Sequence, residues 1–180
     1  MIQAGGEVNR GDKWSWTSLH AASERGHVEV VKSLIQAGVD VNCQNARDET
    51  PLHLTSKNGF VEIVNMLIQA GGEVNKKTPE YWVTPLYWAS QYGRVDIVDI
   101  LIQAGADVNI QTVLGGFTPL HQASKNGHVA IITALLAAGA DKTIQDKDGK
   151  TPYDVARNQD CKNALEIVAC AVLQHAFVIF

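Results

Sequence analysis

The stretch Thr118-Pro119-Leu120-His121-Gln122-Ala123-Ser124-Lys125-Asn126-Gly127-His128 decides the fold, because its opening returns at a nearly constant step. Matching phrases begin at Thr17, Thr50, Thr84 and Thr151, so the five copies are spaced by 33, 34, 34 and 33 residues. A second phrase is locked in phase with the first. Ile-Gln-Ala-Gly stands at Ile2–Gly5, Ile35–Gly38, Ile68–Gly71 and Ile102–Gly105, and Leu136–Gly139 is a weaker copy. Two phrases sharing one period identify a repeat array.

Each repeat reads as two short helices and a polar connection. Thr followed by Pro is a helix start: the hydroxyl caps an orphan N–H and Pro suits the first helical position. The first helix ends near Gly26, Gly59, Gly93 and Gly127, where glycine accepts the left-handed cap conformation. The second helix is amphipathic, as in Val28, Val31, Leu34 and Ile35, or Val95, Val98, Leu101 and Ile102. One such unit cannot bury its apolar face alone, so neighbours must stack.

On the phrase at Thr118–His128, the Gly26–Gly38 run GHVEVVKSLIQAG and the Gly105–Asn109 run GADVN, the chain resembles the ankyrin-repeat family from its start to about Val168. The resemblance implies an all-α solenoid of stacked helix pairs, with β-hairpin fingers projecting from one edge and short inner helices beside them. The expected units are the tail of a leading repeat at 1–12 and repeats at 13–45, 46–78, 79–112 and 113–145. A divergent capping repeat at 146–168 and an apolar tail at 169–180, continuing the last helix, complete them. Met1 falls in the slot held by Leu34, so the chain is expected to open inside a second helix.

Composition excludes several functions. Net charge is −4, with no Lys/Arg-rich run, which disfavours binding by phosphate neutralisation, and no nucleic-acid partner is expected. Three cysteines, Cys43, Cys161 and Cys170, without a CxxC, argue against a disulfide scaffold or zinc site and suit a reducing compartment: cytoplasm, with the nucleus also compatible. No nucleophile elbow, P-loop, dinucleotide or zinc-protease motif occurs in context, so no catalytic residue, cofactor or metal is assigned. His20, His53 and His121 tempt as a metal ladder, but such ligands need convergent geometry. The resemblance gives them a turn-fixing role. It also places Asn42, Asn75 and Asn109 in a slot that an asparaginyl hydroxylase modifies in some family members, with support of the finger base as the simpler role.

Aromatic placement is the most informative departure from the framework. Trp14, Trp16, Tyr81, Trp82 and Phe117 fall on fingers, while Trp88 and Tyr92 fall on the third inner helix. Arg47 and Glu49 hold the matching finger positions in repeat two, and Arg25, Lys57 and Lys125 the inner-helix ends. Trp, Tyr and Arg dominate binding hot spots, because they bury much area and keep a polar handle, and these twelve positions are the candidate partner-binding residues. The competing reading is packing between fingers, with Trp88 the most buried. Trp82 stands where other fingers keep a turn glycine, Gly116 or Gly149, which predicts a reshaped turn. Tyr87 replaces the phrase histidine.

The expected function is non-catalytic recognition of a partner protein or peptide by fingers and inner helices. A second class is a targeting or regulatory module of a larger enzyme, channel or ubiquitin-ligase subunit whose active part lies outside this chain. A third is a structural spacer. From Ile167 to Phe180, twelve of fourteen residues are apolar, too few for a membrane span, which needs about 20. The tail either folds back on repeat five, is buried between two chains, or is covered by further sequence. Stopping the chain after Val168 is expected to lower self-association in sedimentation velocity at matched concentration. Two monomers, with the shorter chain melting much earlier, would instead make the tail part of the core.

Overall fold

The computed structural model describes residues 9–166. The leading segment before Asn9, the end of the capping repeat beyond residue 166 and the apolar tail therefore lie outside the described residues. Four helix pairs follow one another: α1 (Ser18–Arg25) with α2 (Val28–Gln36), α3 (Pro51–Asn58) with α4 (Val61–Gln69), α5 (Pro85–Gln91) with α6 (Val95–Gln103), and α7 (Pro119–Asn126) with α8 (Val129–Ala137). A ninth helical run, α9, covers residues 159–166. The inner helices α1, α3, α5 and α7 meet their neighbours more extensively than the outer helices α2, α4, α6 and α8 do.

One apolar cluster runs the length of the stack. Leu19, Leu52, Leu86 and Leu120, the third residue of each phrase, are buried on successive inner helices. Val31 and Leu34, Ile63 and Leu67, Ile97 and Leu101, then Ile131 and Leu135 bury the matching stripe of the outer helices. Cys161 and Leu165 on α9 close the end. Truncating such a leucine costs about 3 kcal/mol, against about 1 kcal/mol for a helix cap, so burial supplies most of the stability and the caps set the geometry. Ser23, Ser56, Ser90 and Ser124 are fully buried on the inner helices and their hydroxyls find no partner. Small size, not hydrogen bonding, suits them to these positions.

Polar ties join each repeat to the next. His20 Nδ1 accepts the Thr17 backbone N–H at 3.2 Å, so Nε2 carries the proton and donates to the Glu49 carbonyl at 3.1 Å. His53 joins Thr50 to Val83, and His121 joins Thr118 to Lys150, with the same distances. Tyr87 cannot repeat this; its hydroxyl bonds the Gln122 side chain instead, and burial pushes its phenol up to about 12. Asp154 closes the Thr151 cap at 2.8 Å. A second ladder runs through the asparagines. Asn42 accepts from the Glu73 N–H at 2.8 Å and donates to the Gly71 carbonyl at 3.0 Å, and Asn75 and Asn109 do the same one repeat further on. A third tie returns from the residue after each inner-helix cap. Arg94 Nε donates to the Lys57 carbonyl at 3.1 Å, and His128 Nε2 lies 3.2 Å from the Gln91 carbonyl, satisfying helix ends that would otherwise be orphaned. His128 is thus an inter-repeat link and more than part of its own turn. Between the first two pairs, Phe60 takes this place through packing, since Gly26, at φ 74°, leaves room for its ring, which an added Cβ would meet at 2.5 Å. Asn58 Nδ2 supplies the hydrogen bond there, donating to the Glu24 carbonyl at 3.1 Å.

The structure corrects three expectations. The described residues contain no β-strand. Each finger is one tight turn, closed by a bond such as Asn45 N–H to Glu49 carbonyl at 3.1 Å or Thr78 N–H to Val83 carbonyl at 3.0 Å, too short for a ladder. In repeat five the first helix is replaced by hydrogen-bonded turns over 152–155, and Asp160 lies in the first turn of α9 and not at an inner-helix end. Trp82 does not reshape its finger. It takes the left-handed conformation itself at φ 55°, as Ser15 and Asp48 do at 57°, and its N–H bonds the Thr78 carbonyl at 2.7 Å.

Burial, the largest cause, lowers His53 to about 4 from 6.5, and His20 and His121 move the same way. The unfolded chain then binds protons between pH 6.5 and about 4 that the folded chain refuses. Stability is therefore complete above pH 6.5 and is lost as pH falls toward 4. For His53 alone this amounts to about 3 kcal/mol. Urea midpoints should drop through this range, and less steeply in His53→Gln; a flat wild-type profile would contradict neutral buried imidazoles. At Trp82, a left-handed L-residue costs about 1 kcal/mol. Trp82→Gly should therefore exceed Trp82→Ala by about that amount in urea unfolding, and equal stability would rule out the left-handed turn in solution.

Candidate functional site

Fingers 2, 3 and 4, at residues 45–49, 78–83 and 112–117, stand beside α3 and α5 and enclose a groove of about 610 Å³. Its position follows from the ties already described. The His20 and His53 bridges seat fingers 2 and 3 against the starts of the inner helices one repeat back, so finger side chains face inner-helix side chains. Finger length adds to this. Fingers 3 and 4 carry one residue more than finger 2, and hydroxyls replace the side-chain carbonyl at their base: Thr78 Oγ1 accepts the Val83 N–H at 3.1 Å and Thr112 Oγ1 the Phe117 N–H at 3.0 Å. In finger 2, Asn45 Oδ1 accepts from Arg47 and Glu49.

Six of the twelve candidates line this groove: Arg47, Glu49, Lys57, Tyr81, Trp88 and Phe117. Trp88 is half-buried between Tyr87 and Tyr92, with ring centroids 5.6 and 5.9 Å away. Lys57 Nζ lies 5.2 Å from the Trp88 centroid and 5.7 Å from that of Tyr92, within cation–π reach. The Trp88 indole N–H is buried without an acceptor. Phe117 sets its edge against His121 at 6.0 Å and lies beneath Lys125 Nζ at 5.4 Å. Tyr81 is 40% exposed, and its hydroxyl bonds the Glu80 carboxylate, which raises the phenol. Glu49 is buried, its carboxylate 3.4 Å from Asn45 Nδ2, so it serves the finger as well as the groove.

The other candidates separate. Trp14 and Trp16 line a second groove between finger 1, at residues 12–16, and finger 2, of about 530 Å³, with Arg47 on the ridge between the two grooves. Trp14 is 57% exposed with Lys13 Nζ 4.0 Å above its ring, whereas Trp16 is half-buried on His20 at 5.4 Å. Trp82, 47% exposed, is not brought to the main groove. It borders a hollow on the side of finger 4 and of finger 5, at residues 146–150, with Val113 and Lys147, beneath Lys77 Nζ at 4.6 Å. Neighbours in a turn point to different sides, so Tyr81 and Trp82 form no common patch. Tyr92 and Lys125 flank the main groove through Trp88 and Phe117, and exposed Arg25 lines neither groove. Leu114, 67% exposed on finger 4, also lines the main groove and escaped the sequence reading. An apolar Val113-Leu114 pair, where finger 3 has Pro79-Glu80, was its signal.

The phrase histidines and Cys43 are engaged in the framework. Both ring nitrogens of His20, His53 and His121 are engaged with backbone groups. Cys43 lies 3.5 Å from Thr17 Oγ1 and 3.8 Å from His20 Nδ1, yet burial raises its thiol, so the thiolate is disfavoured. Among the described residues no group of three or more His, Cys, Asp or Glu is arranged to hold a metal, and no helix is long and apolar enough to cross a membrane.

Comparison with known proteins agrees with this architecture. A family model described as ankyrin repeats (3 copies) matches residues 1–78 and 19–112, and a second, ankyrin repeats (many copies), matches 112–156. No curated protein matches the chain. Repeats of this kind are in general protein–protein interaction modules and are typically non-enzymatic. With helix pairs, caps and inter-repeat ties recurring at the same period that the models match, the chain belongs to the ankyrin-repeat family.

Proposed function

We propose that this array is a non-catalytic recognition module that holds a partner protein in the groove between fingers 2, 3 and 4. The observation that carries the reading is the groove's lining: Tyr81, Trp88, Phe117 and Leu114 around Lys57, on a framework already bonded in place. Framework stacking does not need a 67% exposed leucine or a 40% exposed tyrosine there. Aromatic anchors bury much area at low entropic cost, and a surface ordered before binding avoids the cost of ordering it later. The free thiols of Cys43 and Cys161 suit a reducing compartment such as the cytoplasm.

The test pairs Tyr81→Ala/Leu114→Ser with Val30→Ala, an exposed change on the outer helix α2. Affinity capture with the purified protein should retain the same partner on wild type and on Val30→Ala, and lose it on the groove variant. Truncating hot-spot anchors costs about 2 kcal/mol, roughly thirty-fold in affinity, while exposed positions shift stability by about 0.5 kcal/mol or less. Equal capture by all three proteins, with matching melting temperatures, would remove the groove from the function.

A further inference from the structure

Consecutive fingers are joined by a backbone hydrogen bond at three of the four seams. The Ala46 N–H donates to the Trp14 carbonyl at 2.8 Å, Val113 to Tyr81 at 3.0 Å, and Lys147 to Gly115 at 3.0 Å. In every case the donor is the second residue of its finger, and the acceptor precedes the left-handed residue of the finger before. At the seam between fingers 2 and 3 those positions are Pro79 and Arg47. Proline has no N–H, and among the described residues nothing donates to the Arg47 carbonyl. This open seam borders the groove described above.

The polar groups around the seam are unevenly matched. Neither the Arg47 guanidinium nor the Lys57 ammonium has a carboxylate within 4 Å among the described residues. The Trp88 indole N–H has no acceptor either, but it is buried and takes no part in the balance. Of the groove's three carboxylates, Glu49 takes the Asn45 amide and Glu80 the Tyr81 hydroxyl, which leaves Asp48 alone uncommitted. The two cations without a carboxylate partner, Arg47 and Lys57, therefore outnumber the one uncommitted carboxylate, Asp48.

We infer that the open seam is a docking line for an extended, carboxylate-bearing segment of a partner protein, whose backbone N–H bonds the Arg47 carbonyl that Pro79 leaves unmet. The segment is extended because a helix spends its own N–H groups internally, as in other cases where a peptide adds to an exposed backbone edge. Its carboxylate sits by Lys57 and Arg47. In the free protein, water serves the Arg47 carbonyl, and the partner's N–H replaces it. Pro79 thus acts by omission, since a residue with an N–H would let finger 3 close the seam. The inference rests on the protein-binding reading of the same groove and adds the conformation and charge of what enters.

The probe is a randomised linear peptide display library selected on the full chain. A synthetic copy of the dominant sequence is then titrated against wild type, Pro79→Ala, Lys57→Gln and Trp82→Ala. Selected sequences should carry Asp or Glu. In free Pro79→Ala the amide created at that position should be protected from hydrogen exchange, and peptide affinity should fall at least about fivefold, the scale of one hydrogen bond. Lys57→Gln should weaken binding and flatten its salt dependence, while Trp82→Ala leaves affinity unchanged. Selected sequences without acidic residues, free exchange of the new amide in Pro79→Ala, or unchanged affinity in that variant would each overturn the seam. Peptides that respond to Tyr81→Ala/Leu114→Ser but not to Pro79→Ala would leave the groove standing without the seam. A selection that yields no binder would remove both.

Discussion

A buried imidazole must have both nitrogens occupied, since an unpaired polar group in an apolar interior costs more than a made hydrogen bond returns. In this chain that requirement couples one repeat to the next. His53 takes the Thr50 N–H on one side and gives its own proton to the Val83 carbonyl on the other. The ring is rigid, so the start of one inner helix and the end of the next finger are held at a set separation. The same bridge at His20 and His121 repeats that spacing. Where Tyr87 stands instead, the tie moves from the finger backbone to Gln122 on the next inner helix.

These bridges act with the asparagine ladder and the cap-to-cap ties, so neighbouring repeats are bonded at the outer-helix end, at the inner-helix end and, except where Tyr87 stands, at the finger base. Most of the free energy comes from burial of the leucine and isoleucine stripes, which is non-directional. The polar ties convert that undirected attraction into one register. Stability is then shared between neighbours, as expected of a quasi-one-dimensional stack.

The groove inherits its character from this register. Finger side chains meet inner-helix side chains because the His20 and His53 bridges hold fingers 2 and 3 against the preceding inner helices. Within that frame, single residues decide the chemistry: the extra residue in fingers 3 and 4, a leucine at 114, a lysine over the Trp88 and Tyr92 rings, and a proline where neighbouring fingers have an N–H. Only the extra finger residue touches the period, lengthening it from 33 to 34 residues, and the helix pairs are kept, which lets a repeat framework carry different surfaces.

Periodicity, helix starts and helix ends are local properties, so they were legible in the chain: Thr before Pro, glycine at the caps, and apolar spacing of three and four residues. The twelve candidate positions could also be placed on fingers and inner-helix ends by counting from each threonine. Counting could not decide which way a side chain leaves a turn. Tyr81 and Trp82 are adjacent in sequence, yet one lines the main groove and the other borders a different hollow. Nor could it show that Trp82 accepts a left-handed backbone, because that depends on the Thr78 carbonyl and hydroxyl drawing the turn closed. The missing bond at Pro79 was likewise hidden. A proline is visible in the sequence, but its meaning depends on which carbonyl faces it, and that partner comes from another repeat, 32 residues away in the chain. Sequence determined the repeat, its helices and its core because those follow from short-range spacing and side-chain polarity; tertiary structure alone decided the groove, because pairing between fingers is a relation between residues that only stacking brings together.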